Sequence, residues 1–359
     1  MSGVGTTDVL ACLLVAVVAL VVTIAVAAVL PDRLRRLHLI DTPGVRSSHA
    51  APTPRGGGLA VLAGVGAAAL VAAALPDVAS LRGGWLVTMF LVGSAAGAIG
   101  LADDVRGVRP LHRALAQLVV GVGAGAAVVV LADASWVWVP VAALATAAYV
   151  NAVNFMDGLN TLTGLHAVTV GLAFAGFGLL QHRDNGDPTA WLLPAGLVLA
   201  AAGAGFLPFN GLGGGPARMF LGDVGSYGIG AMVALLSGAG FLTGLPLEMA
   251  LAPLVVWLAD TVHTLTLRMT AGERWFLPHR THAYQRLTDA GWSHRQVAAA
   301  AGATTLLAVA VAGVVADAAL VWRMLGAVAL VLVGLLWVKL PAWLGQPSPW
   351  GKVARARGR

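Results

Sequence analysis

Two adjacent acidic residues, Asp103 and Asp104, lie at the end of a long apolar run and are the first candidates for chemistry. Neighbouring carboxylates repel each other and lose hydration beside an apolar segment, so they are costly unless a cation or a proton is shared between them. Mg²⁺ meets this need, because it binds one or two carboxylates together with waters and phosphate oxygens. A solvated helix end is the alternative explanation for the pair.

A second polar segment carries three amide or carboxylate residues, Asn151, Asn154 and Asp157, at spacings of three. Neighbouring members of this series share a face if the chain is helical here, and Gly158 offers a break. Such groups at membrane depth, with no charged partner nearby in the sequence, indicate a ligand or a metal. A structural hydrogen-bond cluster is the alternative.

A third segment contains one carboxylate, Asp223, followed by Gly225 and Ser226 at the predicted start of a helix. A helix N-terminus offers free N–H groups to a phosphate, and a carboxylate beside it can hold the metal ion that bridges that phosphate. Helix capping is the competing explanation for an acid at this position.

Two basic segments complete the set of polar clusters. Arg46 and His49 precede the Pro- and Gly-rich run 52–58, whose turns can direct backbone N–H groups at an anion. Farther along, His279, Arg280 and His282 bring together groups that bind a diphosphate well. Contact with anionic lipid headgroups is the alternative for both segments.

The elements that position these residues are predicted to be membrane helices. Hydrophobic residues make up 58% of the 359-residue chain and charged residues 11%, with a mean hydropathy of +0.84. The single cysteine, Cys12, excludes an intrachain disulfide. The sequence therefore predicts an all-α, polytopic integral membrane protein with about 11 transmembrane helices, near residues 8–31, 56–76, 83–101, 112–132, 135–153, 163–181, 189–209, 224–243, 246–268, 295–316 and 319–343.

The basic residues orient these spans. An outer N-terminus and a cytoplasmic C-terminus place all of the 22 Lys and Arg residues except Arg82, Arg183 and Arg323 on the cytoplasmic side, as the positive-inside rule requires. The net charge of +6 then reflects contact with the lipid bilayer, and we expect no nucleic acid partner. We predict one membrane-embedded domain over residues 1–359, whose active site is built from cytoplasmic loops near 32–55, 102–111, 151–163, 210–226 and 268–295.

Taken together, the motifs resemble those of the polyprenyl-phosphate N-acetylhexosamine-1-phosphate transferase superfamily, glycosyltransferase family 4, in its eleven-span branch rather than the related ten-span peptidoglycan translocases. The resemblance covers nearly the whole chain. Its motifs are Asp41-x-Pro with Arg46 and His49, the run Pro52–Gly58, Asp103-Asp104, Asn151-x-x-Asn154-x-x-Asp157-Gly158, Phe220-x-Gly222-Asp223-x-Gly225-Ser226, and His279-x-x-His282.

The resemblance implies transfer of an N-acetylhexosamine 1-phosphate, or a related deoxysugar 1-phosphate, from a UDP-sugar to a polyprenyl phosphate with release of UMP. It implies Mg²⁺, with Mn²⁺ as an alternative, and a bacterial-type inner membrane where this step starts envelope polysaccharide synthesis. Homodimerisation stays open. On this pattern Asp223 and Asp104 hold the metal, and Asp103, Asp104 and Asp157 are catalytic, with Asp103 a candidate base or orienter. The implied substrate-binding residues are Arg46, His49, Asn151, Asn154, Asn160, His279, Arg280 and His282.

Two departures from the family pattern concern the nucleotide and the sugar. Asn160 and Thr161 stand where the family usually has an acid and a glycine, so the uridine contact is altered; an amide can still accept from uracil N3–H and donate to O4. The segment around His279 also differs from the His-x-His-His of the N-acetylglucosamine enzymes. The rival functions are a transporter, for which Asp260 is the one acid clearly inside a span, and a noncatalytic lipid-phosphate-binding protein.

Overall fold

A computed structural model of the chain describes residues 6–43, 51–75, 83–181, 187–273 and 279–347. Arg46 and His49, both predicted substrate-binding residues, lie outside this part of the chain. The described residues form thirteen α-helices, two short 3₁₀ segments at Leu207–Asn210 and Ala252–Leu254, and two strands, β1 (Ile40–Asp41) and β2 (Thr53–Pro54).

The helices make up most of the described chain. In chain order they are α1 (Thr6–Arg36), α2 (Gly58–Ala73), α3 (Gly83–Arg106), α4 (Pro110–Leu131), α5 (Trp138–Met156), α6 (Leu162–Leu180), α7 (Leu192–Phe206), α8 (Gly222–Leu242), α9 (Leu247–Leu251), α10 (Val255–Thr270), α11 (Ala283–Asp289), α12 (His294–Val315) and α13 (Leu320–Trp343).

Ten helical stretches of the described chain are long and apolar enough to cross a membrane, with α9, the second 3₁₀ segment and α10 together making one of them. The helix α2 is a shorter apolar helix of 16 residues. Together these elements coincide with the eleven predicted spans, so the expectation of an all-α, multi-pass membrane protein is confirmed. The short helix α11 lies between the predicted spans 246–268 and 295–316 and was not predicted from the sequence.

The helix α8 is the most enclosed of the spans. Of its most apolar 18-residue window, 83% is buried, against 28% for α1. Glycines allow its N-terminal end to approach two other backbones: a Cβ atom on Gly58 would lie 2.1 Å from Gly225 Cα, and one on Gly100 would lie 2.1 Å from Asp223 O. Since glycine has no side chain, α2 and α3 can both approach the start of α8 this closely, and the three helices meet there.

The strands tie the Pro- and Gly-rich run to the start of α8. In the antiparallel pair β1–β2, Ile40 lies opposite Pro54. Beyond β2, Phe220 N donates to Pro54 O over 2.8 Å, and Gly57 N donates to Phe220 O over 2.9 Å. Backbone bonding therefore fixes Arg55, which follows β2, against the segment that carries Asp223.

Candidate active site

A polar cavity of about 310 Å³ lies where these segments converge. It draws its walls from the region around β1 and β2, from the ends of α3 and α5, and from the starts of α8, α11 and α12. Its lining residues are Asp41, Arg55, Asp104, Asp157, Gly158, Leu159, Asn160, Asn210, Phe220, Leu221, Gly222, Asp223, Gln285 and His294.

Asp104 occupies the last turn of α3 and is 5% exposed. Its Oδ2 accepts a hydrogen bond of 3.1 Å from Val224 N, so it caps the N-terminus of α8 while it faces the cavity. The guanidinium group of Arg55 donates to the Asp104 carbonyl oxygen, and Arg55 Nε lies 3.7 Å from Asp104 Oδ1. Asp104 is therefore a buried residue that lines the cavity, so the alternative of a solvated helix end does not describe it.

Asp223 stands in the first turn of α8, directly opposite the end of α5. Its Oδ1 accepts a hydrogen bond of 2.8 Å from Asn154 Nδ2, which also lies 3.1 Å from Ser226 Oγ. The preceding residue, Gly222, has a φ of +75°, and a Cβ atom there would lie 2.8 Å from Asp104 Oδ2. Glycine at 222 thus lets the two carboxylates approach each other.

Asp157 follows the last residue of α5 and contributes the third carboxylate of this group to the cavity wall. Burial raises its pKa well above the usual range, and the nearby Asp223 and Asp104 carboxylates raise the pKa further. A cation in the cavity would reverse this effect, because it favours the ionised carboxylate.

The donor set fits Mg²⁺. Within the described residues, no three Asp, Glu, His or Cys side chains enclose a metal ion by themselves. Mg²⁺ does not require such a cage, since it takes one or two carboxylates and completes its octahedron with waters and phosphate oxygens. Among the described lining residues Arg55 is the one Lys or Arg, whereas four are Asp, so acidic groups outnumber basic groups in the wall.

Asp103 is not among the lining residues of the cavity, although its side chain lies close enough to interact with that of Asp223. Its Oδ2 accepts from Arg113 Nη1 over 2.5 Å and from Tyr227 Oη over 3.2 Å, and its Oδ1 accepts from Val108 N over 2.7 Å. The two members of the acidic pair therefore have different surroundings, because successive residues of a helix point in different directions.

The two asparagines of α5 also diverge. Asn154 holds Asp223, whereas Asn151 Nδ2 donates to Gln117 Oε1 on α4 over 2.6 Å and to Ala147 O over 2.8 Å. Both residues lie in the helix α5, as their spacing predicted, but the Asn151 side chain contacts α4 whereas the Asn154 side chain contacts α8.

The far end of the cavity is lined by amide and imidazole groups. Asn160 lines it, and the Asn160 backbone N donates to His294 Nδ1 over 3.3 Å. Asn210 Oδ1 accepts from Thr161 N over 2.6 Å, and its amide donates to Met219 O. Thr161 itself has a φ of +68°, the left-handed conformation in which glycine is favoured.

Five polar lining residues were not among the predicted site residues, namely Asp41, Arg55, Asn210, Gln285 and His294, although Asp41 and Arg55 lie within the quoted motifs. A signal existed for His294, because Ser293 and Gln296 form a capping box that marks the start of α12. Gln285 sits one turn into the unanticipated helix α11, and its Oε1 accepts from His282 N over 3.3 Å.

The predicted histidine and arginine cluster lies beside the cavity rather than in its wall. His282 is 2% exposed, and its Nδ1 is 2.9 Å from Asp260 Oδ1. The ring of His279 stacks on His282 with centroids 4.8 Å apart, and burial lowers the pKa of His279 to about 4, with His282 adding to the effect. Arg280 Nη2 lies 3.6 Å from Asp289 Oδ1.

Comparison with known proteins adds an independent observation. Residues 86–240, which contain Asp103, Asp104, Asp157 and Asp223, match the model of glycosyl transferase family 4. A decaprenyl-phosphate N-acetylglucosaminephosphotransferase of Mycobacterium tuberculosis is 31% identical over 296 residues, which cover 73% of this chain and 72% of the relative.

Two further relatives come from other bacteria. A probable undecaprenyl-phosphate N-acetylglucosaminyl 1-phosphate transferase of Bacillus subtilis is 24% identical over 300 residues, 78% of this chain and 79% of the relative. A phospho-N-acetylmuramoyl-pentapeptide-transferase of Desulforudis audaxviator is 28% identical over 325 residues, 79% of this chain and 92% of the relative.

Proposed function

We propose that this chain, which belongs to glycosyl transferase family 4, transfers an N-acetylhexosamine 1-phosphate from a UDP-sugar to a polyprenyl phosphate and releases UMP. The observation that carries the proposal is the convergence of Asp104, Asp157 and Asp223 on one cavity from three separate parts of the chain. Three carboxylates beside a single arginine suit a cation together with a polyanionic substrate.

We assign the metal site to Asp223 and Asp104, with Asp157 at its margin, and Mg²⁺ as the ion, for which Mn²⁺ is an alternative. When bound, the ion supplies neutralisation of charge on the diphosphate. Asn154 donates to Asp223 Oδ1 and Val224 N donates to Asp104 Oδ2, so these contacts fix both carboxylates beside the cavity.

The transfer is an in-line displacement at the phosphorus atom that carries the sugar. An oxygen of the polyprenyl phosphate forms a new P–O bond there, and the P–O bond to the UMP portion breaks, so that UMP leaves with the bonding electrons. The attacking group is already an anion, so no base is required to activate it. We therefore assign Asp103, whose oxygens accept from Arg113, Tyr227 and Val108, to positioning rather than to proton transfer.

Arg55 and the far wall of the cavity serve the nucleotide sugar in this proposal. The Arg55 guanidinium lies beside Asp104 and can donate to a diphosphate oxygen. Asn160 and Gln285 supply amides, which both donate and accept, at the end that we assign to the nucleotide. His279, Arg280 and His282 flank the cavity immediately before α11. We assign them to the sugar side, where they act by holding the start of α11 in place.

We place the site at the cytoplasmic face of the inner membrane, with the N-terminus outside. The support is the positive-inside rule applied to the predicted spans, which puts all Lys and Arg residues except Arg82, Arg183 and Arg323 in the cytoplasmic loops and tail. A nucleotide sugar then reaches the cavity from the cytoplasm, while the lipid substrate reaches it from the bilayer.

The test is release of UMP by purified protein supplied with Mg²⁺, a polyprenyl phosphate and a panel of UDP-sugars. We expect turnover with at least one N-acetylated sugar, and loss of at least about 10²-fold in Asp223→Ala because an electrostatic contact in the transition state is removed. Removal of divalent ions with EDTA should abolish turnover, and Mg²⁺ should restore it. Absence of turnover with every sugar, or an unchanged rate in Asp223→Ala, would contradict the proposal.

A further inference from the structure

One buried carboxylate is not explained by the cavity. Asp260 lies in α10 within a membrane span and has no exposed surface. A carboxylate in such a place is costly unless it is hydrogen-bonded. Five groups donate to it: His282 Nδ1 (2.9 Å), Ala283 N (3.0 Å) and Thr264 Oγ1 (3.3 Å) at Oδ1, and Tyr284 N (3.2 Å) and Trp337 Nε1 (3.0 Å) at Oδ2.

These donors explain why an acid is buried here. The N–H groups of Ala283 and Tyr284 are the first two of α11 and would otherwise lack partners. Since a carboxylate only accepts, His282 Nδ1 carries a hydrogen, and the ring orientation follows from this bond. Asp260 thus joins α10, the start of α11 and, through Trp337, α13. All five contacts are internal, so Asp260 does not line a transport path.

Two contacts lead from α11 to the cavity. Tyr284 Oη donates to Phe155 O over 3.0 Å at the end of α5, and a Cβ atom on Gly158 would lie 2.3 Å from the same hydroxyl oxygen. The turn that carries Asp157 therefore packs directly against Tyr284. The next residue of α11, Gln285, contributes its side chain to the cavity wall.

We propose that Asp260 is a positioning residue for the transfer reaction, and this inference rests on the proposed function. It fixes the start of α11, and α11 in turn sets the position of Gln285 and of the turn at Asp157. The residue acts at the nucleotide-sugar end of the cavity and has no contact with the lipid phosphate.

The substitution Asp260→Asn tests this directly, because the amide keeps the size of the side chain and replaces one acceptor with a donor. Three donors face one carboxylate oxygen and two face the other, so the new NH₂ group opposes at least two donors in either orientation. Displacement of α11 should raise KM for the UDP-sugar by about 10- to 100-fold, as is typical when the partner that orients a functional group is lost. KM for the polyprenyl phosphate should not change.

Glu248→Gln is the matched control. Glu248 accepts two bonds from Arg323, of 2.6 and 3.0 Å, and joins α9 to α13 away from the cavity. This acid-to-amide change should lower thermal stability and leave both KM values unchanged. If a variant only reduced the amount of folded enzyme, the apparent kcat would fall and both KM values would stay the same. A rise in one KM alone therefore distinguishes positioning from general destabilisation.

The experiment measures initial rates of UMP release while each substrate is varied in turn, for wild type, Asp260→Asn and Glu248→Gln. We expect KM for the UDP-sugar to rise in Asp260→Asn, while KM for the polyprenyl phosphate in that variant and both KM values in Glu248→Gln stay at the wild-type level. Wild-type KM values in Asp260→Asn, or an equal rise in both, would overturn the inference while leaving the proposed function intact. Failure of the wild type to release UMP would overturn both.

A second variant decides the matter if Asp260→Asn does not fold. Trp337→Phe removes one of the five donors and leaves the carboxylate and the other four in place. We expect a smaller rise in the same KM. Unchanged KM values in a folded Trp337→Phe protein, when Asp260→Asn cannot be purified, would overturn the inference.

Discussion

The role of Asp103 can be tested through its ion pair with Arg113. The Asp103 side chain is 7% exposed and that of Arg113 is 24% exposed, and the two groups are 2.5 Å apart. In Asp103→Asn, the amide Oδ1 can still accept from Val108 N, but the NH₂ group then faces the guanidinium and Tyr227 Oη. Arg113 is left without its carboxylate.

The expected cost follows from this geometry. Removing one member of a fully buried pair costs about 3–5 kcal/mol, and the partial exposure of Arg113 reduces this to about 2–3 kcal/mol. Arg113→Met removes the unpaired charge while keeping an unbranched apolar stem. The double variant Asp103→Asn/Arg113→Met should therefore recover most of the lost stability, with a coupling energy of about 1–3 kcal/mol.

The assay is a double-mutant cycle on two readouts, thermal unfolding in detergent and kcat for UMP release. If Asp103 positions α3 against α4 and α8, kcat should fall in Asp103→Asn and recover, in step with stability, in the double variant. If Asp103 is instead a general base, kcat stays low in the double variant although stability returns. That second result would refute the assignment of Asp103 to positioning.

Three further predictions concern the walls of the cavity. Asn154→Leu removes the amide that holds the α8 carboxylate and should lower kcat by about tenfold, whereas Ser237→Ala, at the other end of α8, should not change the kcat measured for UMP release. Gly100→Ala places a methyl group 2.1 Å from a backbone oxygen of α8 and should cost about 1–3 kcal/mol of unfolding free energy, while Gly123→Ala, which has no neighbour within 4 Å, should cost little. Thr161→Gly should relieve the backbone strain of a φ of +68° and raise the free energy of unfolding by about 1 kcal/mol. An unchanged free energy of unfolding would contradict the strain argument.

The sequence was sufficient to predict the spans, because apolar length and the distribution of Lys and Arg determine them independently of packing. It was also sufficient to place three acids near one another: Asp104, Asp157 and Asp223 each end or begin a helix on the same side. These properties are local and repeat along the chain, so they can be read without knowledge of tertiary contacts.

The direction of each side chain could not be predicted in the same way. Adjacent residues such as Asp103 and Asp104 point to different neighbours, and which one faces the cavity depends on how α3 is rotated against α8. The same applies to Asn151 and Asn154. The partners of Asp260 are 22 to 77 residues away along the chain, apart from Thr264, so a lone acid in a span gave no sign of its structural task.

The most direct test of the central claim is to follow the phosphate itself. A UDP-N-acetylhexosamine labelled with ³²P in the phosphate attached to the sugar is incubated with the purified protein, Mg²⁺ and a polyprenyl phosphate, and the organic and aqueous phases are counted. Attack at that phosphorus predicts that the label enters the lipid fraction and that unlabelled UMP is released. Label retained in water-soluble UDP, with sugar transferred to the lipid, would mean that the glycosidic bond breaks instead and would contradict the proposed reaction.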